Sequence, residues 1–231
     1  MQELSKVSIF EKLNENDVAK LGAIVTRKTH APDTAVVFQG DPSDSLYILL
    51  SGSAKVHVTS AEGQGKILKI LGAGEIFGEL AMLDGSPRSA TVTTLEPTEM
   101  AAIARRDFQT FVAGHPEILW KVIETLCERV RKTSAETLEM SSRDVPYRLL
   151  AALSQLAEKH GETGAGDSCC INLKLDVKDF AAMVGSNREA VSRLLHQYQE
   201  EGLIRLEKKG QIFIPSRKAL AHALEYSSEW T

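Results

Sequence analysis

The sequence predicts an α+β chain in three consecutive segments: a many-stranded β-sandwich or barrel, one long helix, and a small helical end that closes on a strand pair. Three observations predict it. From about Arg27 to Ile103, short alternating or β-branched runs recur between turn residues. From Pro116 to about Ser142 the chain continues with no further Gly or Pro. After Asp144-Val145-Pro146, short helical patterns flank Gly185 and lead into LIRLEKKGQIFIP.

Each element has a local reason. A first helix is predicted over Glu15 to Ile24, with Asn14 as its N-cap and Val18, Leu21 and Ile24 or Val25 on one face. The strand candidates are AVVF, LYILL, AKVHV, ILKIL, ATVTT and EMAAI. They are separated by Gly40-Asp41-Pro42, Ser51-Gly52, Glu62-Gly63-Gln64-Gly65 and Gly72-Ala73-Gly74. Asp107 to Phe111 reads as a lead-in turn. Pro116 suits the first helical position, where its missing N–H costs nothing. Asp144-Val145-Pro146 then breaks the pattern, which resumes from Tyr147 to about His160. GETGAGDSC reads as a loop and CINLKL as a strand. Helices follow over Val177 to Met183 and Asn187 to about Glu200, and two strands turn about a Lys-Gly pair.

Composition narrows the function classes. The chain has 231 residues, 43% apolar and 25% charged, as in ordinary globular proteins. No apolar run approaches the roughly 20 residues of a membrane span, and MQELSKVSIFEKL lacks a signal-peptide core. A cytoplasmic location and no membrane partner are expected. Cys127, Cys169 and Cys170 have no metal-ligand spacing, so no metal is expected. His30, His57 and His115 are scattered with no His-x-His, which argues against a cupin-type metalloenzyme and against an enzyme generally. Net charge is −4 but uneven: residues 145–218 carry 11 basic and 9 acidic side chains, so that stretch is slightly positive.

The long helix carries a seam. Leu119, Ile123, Leu126, Val130, Thr133, Thr137 and Met140 follow alternating steps of four and three, a heptad a/d pattern. About 26 residues at 1.5 Å each give a rod of roughly 39 Å. The simplest partner is the same helix in a second copy, making a homodimer; the alternative is packing on the chain's own β-domain. The seam turns polar at Thr133 and Thr137, with Ser134 beside the first. That break is either a register device, fraying near the helix end, or the place where a polar ligand lies.

DVKDFAAMVGSNREAVSRLLHQYQEEGLI, from Asp176 to Ile204, has the skeleton of a helix-turn-helix. Ala182 and Val184 precede the turn; Val191, Leu194 and Leu195 follow it. Arg188, Glu189, Ser192 and Arg193 lie away from that apolar stripe at the start of the second helix, where a recognition helix meets base edges. Arg can pair with guanine O6/N7 and Glu can accept from cytosine N4. The closing strand pair would be a wing. The alternative is a helical hairpin with solvated charges. In FGELAMLDGSPRSATV, Phe77 to Val92, Glu79 and Arg88 stand nine residues apart with Ser89 next. They are either a surface ion pair or a shared grip on a ligand.

The whole chain, from about residue 7 to residue 216, resembles the cyclic-AMP receptor protein (catabolite activator) branch of bacterial transcription regulators. GDPSDSLYILLSGSAKV resembles the strand pair of cyclic-nucleotide-binding β-rolls, FGELAMLDGSPRSATV their phosphate-binding cassette, and VGSNREAVSRLL the recognition helix. The resemblance implies a jelly-roll-like cyclic-nucleotide-binding β-roll (1–115), a long coiled-coil dimerisation helix (116–143) and a winged helix-turn-helix (144–231). In the cassette it implies Gly78, Leu80, Ala81 and Ala90 around the phosphate, Glu79 on the ribose 2′-OH, and Arg88 and Ser89 on the phosphate. Thr133 and Ser134 would hold the adenine, with Arg129 one turn earlier assisting, and Asp144 matches the hinge. Ser186, Asn187, Arg188, Glu189, Ser192 and Arg193 would meet DNA at a palindrome of TGTGA-like half-sites. Asn187 and Ala190 depart from the Ser and Thr usual there, so one phosphate contact is expected to be lost at Ala190. The loop from His160 to Gly166 differs from the family's RNA polymerase contact, although polymerase remains an implied partner. No N-terminal cysteine cluster marks an iron–sulfur sensor.

The function expected is an allosteric, homodimeric, DNA-binding transcription regulator switched by cyclic AMP, with no other cofactor. The alternative is a regulator of the same fold that responds to cyclic GMP or another effector, or to none.

Overall fold

In the computed structural model, residues 3–61, 63–207 and 210–227 are described. Glu62 of the expected Glu-Gly-Gln-Gly turn, and Lys208 and Lys209 beside the expected Lys-Gly turn, lie outside them. The chain divides into two compact units: residues up to 58 with 68–132, and residues 59–67 with 133 onwards.

The first unit opens with two 3₁₀ turns, Leu4–Lys6 and Ser8–Phe10, and helix α1, Glu15–Ile24. The Asn14 side chain accepts from the Asp17 amide at 3.0 Å, which fixes where α1 starts. Eight strands follow: β1 Thr26–His30, β2 Ala35–Val37, β3 Ser45–Ser51, β4 Ala54–Thr59, β5 Gly65–Leu71, β6 Ile76–Phe77, β7 Thr91–Thr94 and β8 Thr98–Ala104. They form two four-stranded sheets, ordered β1-β8-β3-β6 and β2-β7-β4-β5. A short helix α2, Glu79–Asp84, interrupts the run between β6 and β7.

Strand β3 shows why the roll is layered. Its alternate residues Leu46, Ile48 and Leu50 join a core with Ala101, Ile103, and Val18 and Leu21 of α1. Leu49, on the opposite face, joins Val37, Ala54, Phe77, Val92 and Met100. A period of two sends one set towards helices and the other towards the second sheet. The first core is completed by Phe108 and Val112, which lie on helix α3, Arg105–Ala113. The sequence predicts only a turn over Asp107 to Phe111. The helix is longer because burial of Phe108 and Val112, one turn apart, rewards a continued helical face.

Helix α4, Pro116–Ser142, has 27 residues and buries Ile118 and Val122. It groups with the first unit as far as Lys132 and with the second from Thr133. Helix α5, Val145–His160, begins two residues before the expected Tyr147, with Pro146 inside its first turn. The Asp144 side chain accepts from the Tyr147 amide at 3.0 Å and so caps it. Proline is tolerated there because its position needs no helical N–H.

The second unit continues with β9 Gly161–Thr163, β10 Cys169–Ile171, helices α6 Val177–Val184 and α7 Arg188–Glu200, strands β11 Arg205–Leu206 and β12 Ile212–Ile214, and helix α8 Arg217–Ser227. Its sheet runs β11-β12-β10-β9. Two expectations are corrected here. GETGAGDSC is a hairpin rather than a loop: the Gly164 amide donates to Ser168 O at 2.9 Å, and Gly161 through Thr163 pair with β10. CINLKL is extended in the ladder only over Cys169–Ile171. Helix α8 is an addition; the Ser216 hydroxyl accepts from the Ala219 amide at 3.1 Å and caps it, and Leu220 is buried.

Candidate ligand pocket and nucleic-acid interface

The cassette is built on two turns. Gly78 has φ of 79° and caps the N-terminus of α2; Gly85 has φ of 77° and closes its C-terminus, its amide donating to Ala81 O. A Cβ on Gly78 would strike Arg88 Nη1 and sit 3.1 Å from Ser45 O. The sequence therefore needs glycine at that point so that Arg88 can pass beneath the start of α2. The Arg88 backbone is fixed by its amide donating to Asp41 O at 2.9 Å and its carbonyl accepting from Gly40 N at 2.8 Å.

Both charged cassette residues are buried, Glu79 at 2% exposure and Arg88 at 4%. Arg88 Nη1 donates to Gly78 O at 2.9 Å and Nη2 to Ser45 O at 2.8 Å. Its guanidinium lies 5.4 Å from the centroid of the Tyr47 ring, which stacks on Phe77 at 4.9 Å. Burial pulls the Arg88 guanidinium below its ordinary value, opposed by Tyr47, Glu79 and Asp44. No carboxylate lies in salt-bridge range of Arg88 among the described residues.

Glu79 instead takes Arg129 of α4. Arg129 Nη1 donates to Glu79 Oε1 at 2.5 Å, and Nη2 to Ile76 O at 2.9 Å. Three polar atoms here are buried without any hydrogen-bond partner: Glu79 Oε2, Arg88 Nε and Arg129 Nε. Such groups normally cost about 1–3 kcal/mol each, more when charged. Around the cassette, two arginine N–H donors and one carboxylate oxygen are thus available to a polar molecule with an anionic part.

The other sequence-predicted ligand residues differ in burial. Ala81 and Ala90 are buried, while Leu80 and Ser89 are exposed on the cassette. Thr133 lies one turn beyond Arg129 on α4, with Ser134 next; both are exposed. The Thr133 carbonyl accepts from Thr137 Oγ1 at 2.8 Å. Sequence reasoning missed Tyr47 and the Ser45 carbonyl, because both lie on β3 and meet Arg88 only through folding. Of the seam residues, Ile123 (46%) and Val130 (66%) are exposed apolar side chains, and Leu119 and Leu126 pack partly on the first core. Met140 and Thr137 are exposed as well.

The helix-turn-helix has a cap at each end of its turn. Asp176 and Asp179 form a reciprocal capping box on α6, and Gly185, at φ of 62°, ends it. The Ser186 amide donates to Ala181 O at 3.0 Å. Asn187 then caps α7, its side-chain oxygen accepting from Ala190 N at 2.8 Å. Asn and Ser cap equally well, which accounts for Asn at this position. Val191, Leu195 and Tyr198 are buried, while Arg188, Glu189 and Arg193 are exposed and Ser192 is half-buried. Exposed His196 lies on the same outward face, four residues after Ser192, a spacing that was available in the sequence. On the strand pair, Arg205 lies over the Phe213 ring at 4.4 Å.

A sheeted roll with a buried anion-type cassette, followed by a helix-turn-helix with a strand pair, defines a ligand-binding transcription regulator. Residues 27–115 match the cyclic nucleotide-binding domain family and residues 147–223 the Crp-like helix-turn-helix domain family. The chain is 30% identical over 198 residues to the cyclic AMP receptor protein of Thermus thermophilus, covering 86% of this chain and 88% of that one. It is 29% identical over 220 residues to a CRP-like cAMP-activated global transcriptional regulator of Mycobacterium tuberculosis, covering 95% and 98%. The chain belongs to the CRP family of cyclic-nucleotide-binding, helix-turn-helix transcription regulators. Among solved structures, the Thermus thermophilus catabolite activator protein is similar at a TM-score of 0.54 and 28% identity, covering 95% of this chain and 99% of that one. The c-di-GMP-responsive regulator CLP of Xanthomonas campestris shares the fold at a TM-score of 0.75 and 22% identity, covering 88% and 99%. The pairing of these two domains and the named relatives are those of DNA-binding transcription regulators rather than enzymes. No helix among the described residues is long and apolar enough to cross a membrane.

Proposed function

We propose that this chain works in the cytoplasm as a homodimer whose operator binding is switched on by cyclic AMP. The observation that carries the ligand is the set of orphaned buried atoms in the cassette, Glu79 Oε2, Arg88 Nε and Arg129 Nε. A cyclic nucleotide has one anionic phosphate and a free 2′-OH. Arg88 meets the phosphate through its planar fork, and the amides of Gly78 to Ala81 add donors at the turn into α2. Glu79 accepts from the 2′-OH, and Ser89 adds a hydroxyl. Thr133 and Ser134 take the base edge, which explains why the seam turns polar where it does. Relatives named as cAMP-activated favour cyclic AMP over another effector.

The domain plan is a β-roll over 1–115, a dimerisation helix over 116–143 and a winged helix-turn-helix over 144–231. Ile123 and Val130 are the exposed apolar anchors of the dimer seam. Ligand binding shifts the joint at Asp144 and lets two copies of α7 enter successive major grooves about 34 Å apart. Arg188, Glu189 and Arg193 read TGTGA-like half-sites, and Ser186, Asn187 and Ser192 approach the backbone. RNA polymerase is the partner of the assembled complex. The ligand acts only through its differential affinity for the two states.

The test is calorimetric titration with cyclic AMP and cyclic GMP, followed by binding to a TGTGA palindrome with and without each. Stronger response to cyclic AMP, abolished by Arg88→Ala, is expected. An Arg88→Ala protein with normal nucleotide-stimulated operator binding would remove the cassette assignment.

A further inference from the structure

The buried stripe of α7 is Val191, Leu195 and Tyr198, at helical steps of four and three. Apolar bulk alone satisfies such a stripe, so the Tyr198 hydroxyl is an extra polar group in the core. At 4% exposure it needs a partner. It donates to Pro146 O at 3.0 Å, a residue 52 positions earlier in the chain. Pro146 lies in the first turn of α5, directly after the joint where α4 ends at Ser142 and Asp144 caps α5. The backbone carbonyl of Tyr198 accepts from Leu203 N at 2.9 Å and from Ile204 N at 3.3 Å, just ahead of β11. One residue thus binds the joint with its side chain and the entry to the wing with its backbone. Burial first, then the Glu201 and Asp144 carboxylates, pushes its phenol well above its ordinary value, so it stays a donor across the physiological range. Outside that stripe the same helix carries exposed Arg188, Glu189 and Arg193.

We propose that Tyr198 is a positioning residue that ties the α4–α5 joint to the DNA-reading helix, so that the state of the joint sets the placement of Arg188 and Glu189. The proposal rests on the DNA-binding reading above. A helix is stiff along its axis, so a tether near one end orients side chains at the other. The hydroxyl fixes which position α7 adopts, while Val191 and Leu195 hold it in the core.

Tyr198→Phe tests it, since only the hydroxyl is removed. Anisotropy titrations would use a TGTGA palindrome and a scrambled duplex, at saturating cyclic AMP and without it. Amide hydrogen exchange would follow Tyr147, Arg148, Leu149 and Leu150. In the wild type, palindrome binding slows exchange at those amides. In Tyr198→Phe, affinity for the palindrome falls about five- to tenfold, affinity for scrambled DNA and for nucleotide is unchanged, and the protection is lost. Leu195→Ala, a packing control, weakens both duplexes together. An unchanged palindrome-to-scrambled ratio in Tyr198→Phe, or a parallel loss on both duplexes, overturns the proposal. If the wild type binds no palindrome under either condition, the functional reading fails separately. Exchange in the free protein then decides: selective acceleration at those amides in Tyr198→Phe supports the tether, and unchanged exchange overturns it.

Discussion

Glu79 is gripped by Arg129, whose Nη1 lies 2.5 Å from Glu79 Oε1, while Arg88 spends its two terminal nitrogens on the carbonyls of Gly78 and Ser45. The two charged residues of the cassette therefore have different partners. Arg129 holds a carboxylate that is 2% exposed, and its own side chain is 32% exposed. Arg129→Ala would leave Glu79 buried without its salt-bridge partner. Allowing for the solvent around Arg129, the expected cost is about 1–2 kcal/mol, a melting-temperature drop of roughly 2–8 °C in a chain of this size. Cyclic AMP should restore more of that loss than it adds to the wild type, because the proposed contact with its 2′-OH gives Glu79 a new donor. Thermal melts with and without nucleotide measure both quantities.

Gly78→Ala should separate binding from folding. The new Cβ meets the Arg88 guanidinium, and φ of 79° is strained for any L side chain. The guanidinium is the movable neighbour, so it is displaced from Gly78 O and from the place proposed for the phosphate. The expected strain is about 1–3 kcal/mol, leaving a folded protein. Nucleotide affinity, read by calorimetry, should fall by about 30-fold or more, comparable to losing a buried charge-assisted contact.

Much of this architecture was legible from the sequence where a local chemical signal marks an edge. Asn14, Pro116 and Asn187 announce the starts of α1, α4 and α7. The alternation in LYILL announces the two-faced strand β3. What escaped depends on tertiary contacts. The two-residue strand β6 exists because it pairs with Tyr47 and Ile48. The strand β9 forms in a Gly- and Ser-rich stretch because β10 offers an edge. Glu79 and Arg88 were recognisable as a cassette pair, but spacing cannot say which group each touches. The role of Arg129 is fixed by a contact 50 residues away in the chain.

Acid sensitivity should localise partly to the docking of α8. Asp167 Oδ2 accepts from Lys218 N at 2.8 Å and from Ser216 Oγ at 2.9 Å. The Lys218 amide, then Ser216, holds this carboxyl below its ordinary 3.8. A depressed folded-state value means the unfolded chain takes up the proton first. The stabilisation is therefore complete above the ordinary value and is lost as pH falls through the folded one. Asp167→Asn keeps an acceptor but removes the titration. Its melting temperature should decline less steeply than that of the wild type between about pH 5 and pH 3, followed by circular dichroism.

Val130 is 66% exposed on α4 and Ile123 46% on the same seam. A charge at Val130 would face its own copy across a two-fold axis, adding repulsion to the lost apolar contact. Val130→Asp should sediment as a monomer at concentrations where the wild type is a dimer. Losing the second reading head should weaken binding to a palindrome by at least about 100-fold, with little change on a single half-site. A dimeric Val130→Asp protein would place the self-contact elsewhere on the chain.

Base reading gives the most discriminating measurement. Glu189 stands exposed in the first turn of α7, beside Arg188, and Asn187 caps the same turn. A carboxylate is an acceptor only, so it favours cytosine N4 and disfavours the acceptor edge of guanine. Glu189→Ala removes both the attraction and the repulsion. Affinity for the TGTGA palindrome should drop modestly, while discrimination at the C·G pair proposed for Glu189 should relax by about 1–3 kcal/mol, or roughly five- to 150-fold. Arg188→Ala should cost a similar amount at the guanine proposed for it and also reduce the salt dependence of binding if the same side chain touches phosphate. Competition titrations against palindromes changed at one pair per half-site separate the two. Equal losses on every changed palindrome would mean that α7 contacts the backbone alone, and that sequence is read from the shape of the duplex.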